Sequence, residues 1–313
     1  MTHTLVDDLY LKESFIESMY LDHLGIPTYG IGCTVYNNCS ARNPTGGNPN
    51  WSSKELPLLL EDNKDSLPFN GESGEAGLLA LMNYQYNVLR DMVEGKGFNF
   101  KARYYISNYP AGKPRFRITR ETALITMLIK LAAIERDVFK LYPWLNMRSQ
   151  QLIDAYIKAS YQMGIIGFYK KFAGMHLYVE DFNFIGAYGH ALYGRGENTE
   201  RQTQAGIYKT LWHHQTPQRA YDFLAGVAYD LQDAYNRVTK GKKNRPSTYL
   251  GTGLSDIDID NLASKIERNY KDMVNFLKNE KNDIFNSTTG IFSSQYVMGN
   301  DILTHRLKNR ISY

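Results

Sequence analysis

One stretch near the start constrains the fold more than any other: Glu13 to Thr34, ESFIESMYLDHLGIPTYGIGCT. Ahead of it Leu5 and Leu9 share a helical face, so a short amphipathic segment closes at Glu13. The residues that follow are rich in Phe, Ile, Met and Tyr. They break at His23-Leu24-Gly25-Ile26-Pro27 and resume at Thr28-Tyr29-Gly30-Ile31-Gly32. The pattern reads helix, strand, turn, strand. A hairpin that begins at Glu13 holds Asp22 near its turn and returns Thr28 along the second strand toward Asp22.

Two acids and a hydroxyl at this spacing suit glycosidic cleavage. One carboxyl must keep a proton for the leaving oxygen. The other must stay ionised to activate water or steady an oxocarbenium-like state. Glu13, at a helix end against the apolar start of the hairpin, is the better proton holder, and Asp22, beside a polar turn, the better anion. On the carboxylates alone, a helix-end Glu and a turn Asp explain the same residues.

The chain of 313 residues has room for one large domain or two smaller ones, and 43% hydrophobic and 22% charged residues suit a soluble protein with a real core. The net charge of +4, without a dense Lys/Arg block, suits an anionic polymer but does not demand nucleic acid. Cys33 and Cys39 are too few for a disulfide framework or an all-cysteine zinc site and read as free thiols. The first residues are acidic where a signal peptide is basic, and no run reaches the length of a membrane span. The expectation is a protein made in a cytoplasm and kept soluble.

Val35 to about Phe116 is loop-rich, with a helical stripe from Leu78 to Met92 that Gly95 and Gly97 end; Phe98 to Tyr109 reads as irregular or strand. Thr119 is a helix cap followed by Glu121, and Leu124, Met127, Leu128, Leu131, Ile134 and Val138 form a stripe that Tyr142-Pro143 interrupts. A second helix runs from about Ser149 to Met163, with Leu152, Tyr156 and Ala159 on one face, and Gly164 and Gly167 end it. Asp181, Asn198 and Thr216 are further caps, and the helix begun by Thr216-Pro217 extends to about Val238. Residues 119–238 thus read as a helical bundle. A basic linker, Lys240 to Ser247, precedes one more helix, roughly Asp260 to Lys278, and a Ser/Thr/Asn-rich tail.

Several of these stretches together resemble a known family. Glu13, Tyr20-Leu21-Asp22, Gly25 and Thr28-Tyr29-Gly30-Ile31-Gly32 resemble the catalytic signature of the phage-type (T4-like) lysozymes, the muramidases of glycoside hydrolase family 24. Nine positions separate Glu13 from Asp22 and six separate Asp22 from Thr28, as in that signature. Phe116 to Glu121 resembles the start of the helix after the family's small lobe, and Tyr161-Gln162-Met163-Gly164 with Gly167-Phe168 its central helix end. Trp212 to Ala220 is similar to its Trp–Gln-Thr-Pro–Arg-Ala segment. The resemblance covers roughly 1–34 and 117–238. Ser14 stands where the family usually has Gly, and Cys33 where His is frequent.

The resemblance implies an α+β, mostly helical, lysozyme-like fold: a catalytic domain over 1–238 with a small β-hairpin lobe, a helical bundle lobe and a long insertion at about 35–116, then an extension at 239–313. It implies hydrolysis of the β-1,4 bond between N-acetylmuramic acid and N-acetylglucosamine in peptidoglycan, with inversion and without metal or cofactor. Glu13 is then the general acid, and Asp22 and Thr28 position the attacking water, the carboxyls lying about 6.5–9.5 Å apart. Arg219 pairs with and orients Glu13, Gln162 contacts Trp212 and helps line the cleft, and Gly30 and Gly32 let a sugar chain approach the backbone. The implied setting is an endolysin released through a holin, or a lysozyme carried on the virion among other virion proteins, made in the host cytoplasm and acting on the wall. A lysozyme-like binding or structural protein with a blocked cleft is the alternative.

Other signals weigh less. Asp256, Asp258 and Asp260 with Glu267 match the acidic positions of a calcium loop, but Asn261 stands where Gly is needed, and an acidic helix start capped by Asp260 is the favoured reading. His213-His214 lacks a partner motif for a metal, and Gly30-x-Gly32 lacks the third glycine of a dinucleotide fingerprint. The Lys240–Arg245 patch reads as a solvated linker, with a surface for anionic wall or a partner protein as the minor alternative.

Overall fold

A computed structural model describes residues 3–22, 24–40, 42–93, 108–193, 212, 217–240 and 256–279. Among them ten helices and one small three-stranded antiparallel sheet near the N-terminus make a mostly helical α+β fold. The chain divides into two compact units: Leu9–Leu131, here the sheet unit, and Met1–Asp8 with Ala132–Tyr313, here the helical unit. The division falls inside two helices, α1 (His3–Glu13) and α4 (Arg120–Leu141).

In the sheet unit, β1 (Ile16–Leu21), β2 (Pro27–Gly30) and β3 (Cys33–Thr34) follow one another in space as in sequence. Tyr20 faces Thr28, Leu21 faces Pro27, and Thr28 faces Thr34. The expected helix–strand–turn–strand order is present, and β3 is an addition too short for a periodic pattern to reveal. All four β2 residues are buried, so the strand reads as an apolar run and not as an alternation.

Two further helices, α2 (Leu56–Asp62) and α3 (Gly74–Val93), complete this unit. Helix α3 buries Leu78, Leu81, Met82, Leu89 and Val93. Its one buried amide, Gln85, fastens two segments. Gln85 Nε2 donates to Ser18 Oγ and the Met19 carbonyl, each at 2.9 Å, and its Oε1 accepts from the Phe116 amide at 2.6 Å. Thr119 caps α4 as expected, its Oγ1 accepting from the Thr122 amide at 3.2 Å. Met127, Leu131 and Val138 are buried along α4, but Leu128 of the same stripe is exposed.

The helical unit contains α5 (Gln150–Met163), α6 (Ile165–Lys171), α7 (Ala173–Glu180), α8 (Phe184–Tyr193), α9 (Pro217–Lys240) and α10 (Asp256–Asn279). Ser149 caps α5 through a bond from the Leu152 amide, and Gly164 stops it at φ +71°. Helix α9 approaches α5 so closely that a Cβ on Gly226 would lie 2.7 Å from Ala155 Cβ, which only glycine allows. Arg148 and Asp230 add a buried staple: the guanidinium meets Oδ2 at 2.6 Å and Oδ1 accepts from the Ser149 amide at 2.7 Å. Arg148 also donates to the carbonyls of Val179 and Glu180 and lies over the Phe182 ring.

The core of this unit is aromatic. Phe168 packs edge-on against Tyr156, His176, Phe223 and Trp212. His176 is buried and fully engaged. The Phe168 carbonyl can only accept, so Nε2 carries the proton toward it at 3.1 Å, and Nδ1 accepts from the Tyr156 hydroxyl at 3.1 Å. The Tyr142 hydroxyl shares Nε2 at 3.0 Å. Burial lowers the His176 pKa to about 4.

Four expectations need correction. Gly167 lies inside α6, because Gly164 alone turns the chain there. Asp181 ends α7, and Asn183 instead heads α8, its side chain accepting from the Gly186 amide at 2.9 Å. Asp256 to Asp260 is helix from its first residue, so Asp258 and Asp260 sit on helical backbone and not in a calcium-binding loop; for the same reason Asp260 is not a cap. Leu128 turns outward. Gly95, Gly97, 98–107, Asn198, His213, His214, Thr216 and 241–255 lie outside the described residues.

Candidate active site

Helix α1 delivers Glu13 at its last position, and the chain then turns through Ser14 at φ +60°. That left-handed conformation suits glycine best. The half-buried Glu13 side chain lies against Gly32: a Cβ there would fall 3.1 Å from Oε2 and 3.3 Å from Cδ. Gly32 is itself left-handed, at φ +69°. The turn after β2 thus presents bare backbone to the carboxylate.

Asp22 begins the turn that joins β1 to β2. Its Oδ1 accepts from the amides of Leu24 and Ile26, each at 2.8 Å. Its own amide donates to the Ile26 carbonyl at 2.9 Å, and its carbonyl accepts from Gly25, which sits at φ +78°. Among the described residues both side-chain bonds of this turn fall on one oxygen, Oδ1. Thr28 is 4% exposed, and its Oγ1 gives its proton to the same Ile26 carbonyl at 3.1 Å. The lone pairs of Oγ1 are therefore the part of the hydroxyl that can receive a hydrogen bond.

Tyr20 joins these residues through its electrostatics. It lies opposite Thr28 in the ladder and two positions before Asp22, which strand alternation puts on one side of the sheet. Burial, then Glu13, Cys33 and Asp22, push its hydroxyl well above the ordinary phenol range, while the Gly32 backbone hydrogen-bonds it. It is a neutral phenol within electrostatic reach of both carboxylates. The signal for it was present: a Tyr in register two residues ahead of the acid.

The remaining candidates divide between the units. Gly30, at φ +61°, is buried, and a Cβ there would meet Ala123 Cβ at 3.2 Å, so its bareness serves the packing of α4. In the helical unit, Trp212 Nε1 donates to Gln162 Oε1 at 3.4 Å, the contact the resemblance implied. Trp212 is 5% exposed and packs on Phe172, Phe168 and Phe223, so its ring is held inside the aromatic core. Arg219 is half-buried in the first turn of α9. Cys33 and Cys39 are free thiols; burial raises the Cys39 pKa, with Thr34 bonding to it and the Asp22 charge acting on it.

Among the described residues no group of three His, Cys, Asp or Glu could hold a metal, and no helix is long and apolar enough to cross a membrane. Comparison with protein-family models and with curated proteins finds no match to this chain.

Proposed function

We propose that the protein is a muramidase of the phage-type lysozyme kind, hydrolysing the β-1,4 bond between N-acetylmuramic acid and N-acetylglucosamine with inversion and without cofactor. The observation that carries this reading is the hairpin's use of its polar groups. Asp22 commits one carboxylate oxygen to the turn and Thr28 commits its proton to the Ile26 carbonyl. What they have left are two acceptors, Asp22 Oδ2 and Thr28 Oγ1. Two acceptors bind the two protons of one water and aim its lone pair outward, which is what an inverting hydrolase requires of its nucleophile. Glu13 delivers the proton to the leaving oxygen, and Tyr20 is a neutral phenol that feels the charge of both acids. The ordered motifs around Gln162, Trp212 and Arg219 support the same family. The setting that follows is phage lysis: an endolysin freed by a holin or a lysozyme packaged with virion proteins, its partner the bacterial wall.

The test is digestion of purified peptidoglycan followed by mass spectrometry. Wild type is expected to release reducing ends, newly formed as the α-anomer. Glu13→Gln is expected to lose about 10²–10⁴-fold in rate, the usual worth of a positioned acid. Equal rates would remove Glu13 from the reaction. An anhydro product would make the enzyme a transglycosylase. Wall binding with no cleavage by wild type would leave a silent binding protein. A Thr28→Glu variant that turns over normally would argue against a water held at that residue.

A further inference from the structure

The sheet unit contains a cleft of about 620 Å³, built mostly from the long insertion and lined by Asp65, Phe69, Tyr109, Lys113, Arg115 and Arg117 among others. Its size lies within the ~300–1,000 Å³ of small-ligand sites. We propose that this cleft binds an acidic oligosaccharide, a short sugar chain bearing carboxylates, separately from the Glu13 hairpin.

Its walls are built from tight turns. Phe69 and Glu72 exchange both backbone hydrogen bonds, at 2.9 and 3.0 Å, across Asn70 and Gly71, which are both left-handed. On the other side Lys113 donates to the Pro110 carbonyl at 3.3 Å across Gly112 at φ +76°. The Tyr109 hydroxyl closes that loop on the Pro114 carbonyl at 2.9 Å. Buried Asn63 clamps Arg117 from both sides, accepting from its amide and donating to its carbonyl, each at 2.8 Å. Phe69 is braced by Tyr84, ring to ring at 5.5 Å. A site held this way loses little freedom when it binds.

The lining selects the ligand class. Three cations stand against one carboxylate, so the cleft favours an anion. Arg115 is only loosely engaged, 3.7 Å from the exposed Glu17. The rings of Phe69 and Tyr109 offer flat apolar surface for a sugar face, and Asp65 can accept from sugar hydroxyls. The amides and carbonyls of Phe69 and Arg117 are already spent, so a peptide cannot add as a strand on them. Burial pushes the Tyr109 phenol up to about 12, with Tyr84 adding and Arg115 opposing, so it remains a neutral partner beside the cations.

The experiment is calorimetric titration of the full chain with hexagalacturonate as probe. Saturable binding is expected. Lys113→Gln/Arg117→Gln, at two exposed side chains, is expected to weaken it at least tenfold and flatten its salt dependence. Phe69→Ala is expected to weaken it several-fold with the salt dependence retained. Glu13→Gln is expected to bind as wild type does, so failure here and failure of the hydrolase reading can be told apart. Absence of saturable binding, or equal affinity in the folded double variant, would overturn the proposal. So would hexaglutamate or a hexathymidylate binding as tightly as the sugar, or neutral chitohexaose binding as tightly as the acidic probe.

Discussion

Gly32 controls Glu13 by having no side chain. A methyl there would sit 3.1 Å from the carboxylate oxygen, on a backbone already at φ +69°. Gly32→Ala is therefore expected to cost about 1–2 kcal/mol in backbone strain and to displace the acid. Cleavage of peptidoglycan should fall by about ten- to a hundredfold, the scale of a displacement approaching 1 Å, while far-UV circular dichroism stays that of wild type. His176 makes a different prediction. Its folded pKa is about 4, against about 6.5 in the unfolded chain. Between those values the unfolded state binds the extra proton, so stability is present above pH 6.5 and falls as pH drops toward 4. The loss amounts to roughly 3 kcal/mol. His176→Gln should remove that slope in urea titrations across the interval. An unchanged slope would place the titration elsewhere.

At the scale of elements, the Arg148–Asp230 staple fixes α9 to the head of α5. Both side chains are almost wholly buried, at 5% and 0% exposure. Asp230→Ala leaves a buried guanidinium unpaired and the Ser149 amide without its acceptor. It is expected to cost about 3–5 kcal/mol, read as a lowered denaturant midpoint. This contact also marks what a sequence conceals. Asp230 sits 82 positions from its partner and looks like any polar residue on an amphipathic helix. By contrast, Ser149, Gly164, Thr119 and Pro217 act within one turn of themselves, and their helices begin or end where local chemistry says. Local signals also misled. Acids favour helix starts in general, so Asp260 reads as the cap of a helix that in fact begins at Asp256, and Asp181 reads as a cap that Asn183 supplies. Of the candidate site, the acid spacing and the Asp22 turn were legible because a tight hairpin keeps sequence neighbours together. Tyr20 is harder to read, because an aromatic in a strand looks like core.

For the molecule as a whole, the excess of positive charge is modest, +4, and the expected target is an anionic wall. Association with purified sacculi should weaken several-fold between about 0.1 M and about 1 M salt, as the screening length shrinks from ~10 to ~3 Å. Binding indifferent to salt would remove charge from the account. The two units also call for separate reporters in any unfolding study. Trp51 lies in the sheet unit, Trp144 and Trp212 in the helical unit. Finally, the two units differ in how their chain is assembled: the sheet unit is one continuous run, the helical unit two pieces. Asp8 meets Lys158, at 2.5 Å, only after another 150 residues have been made. At ribosomal speeds of ~5–20 residues per second that is a wait of roughly 10–30 s. Translation therefore sets the order of events, with the hairpin and its acids emerging complete while the opening residues wait for partners still on the message.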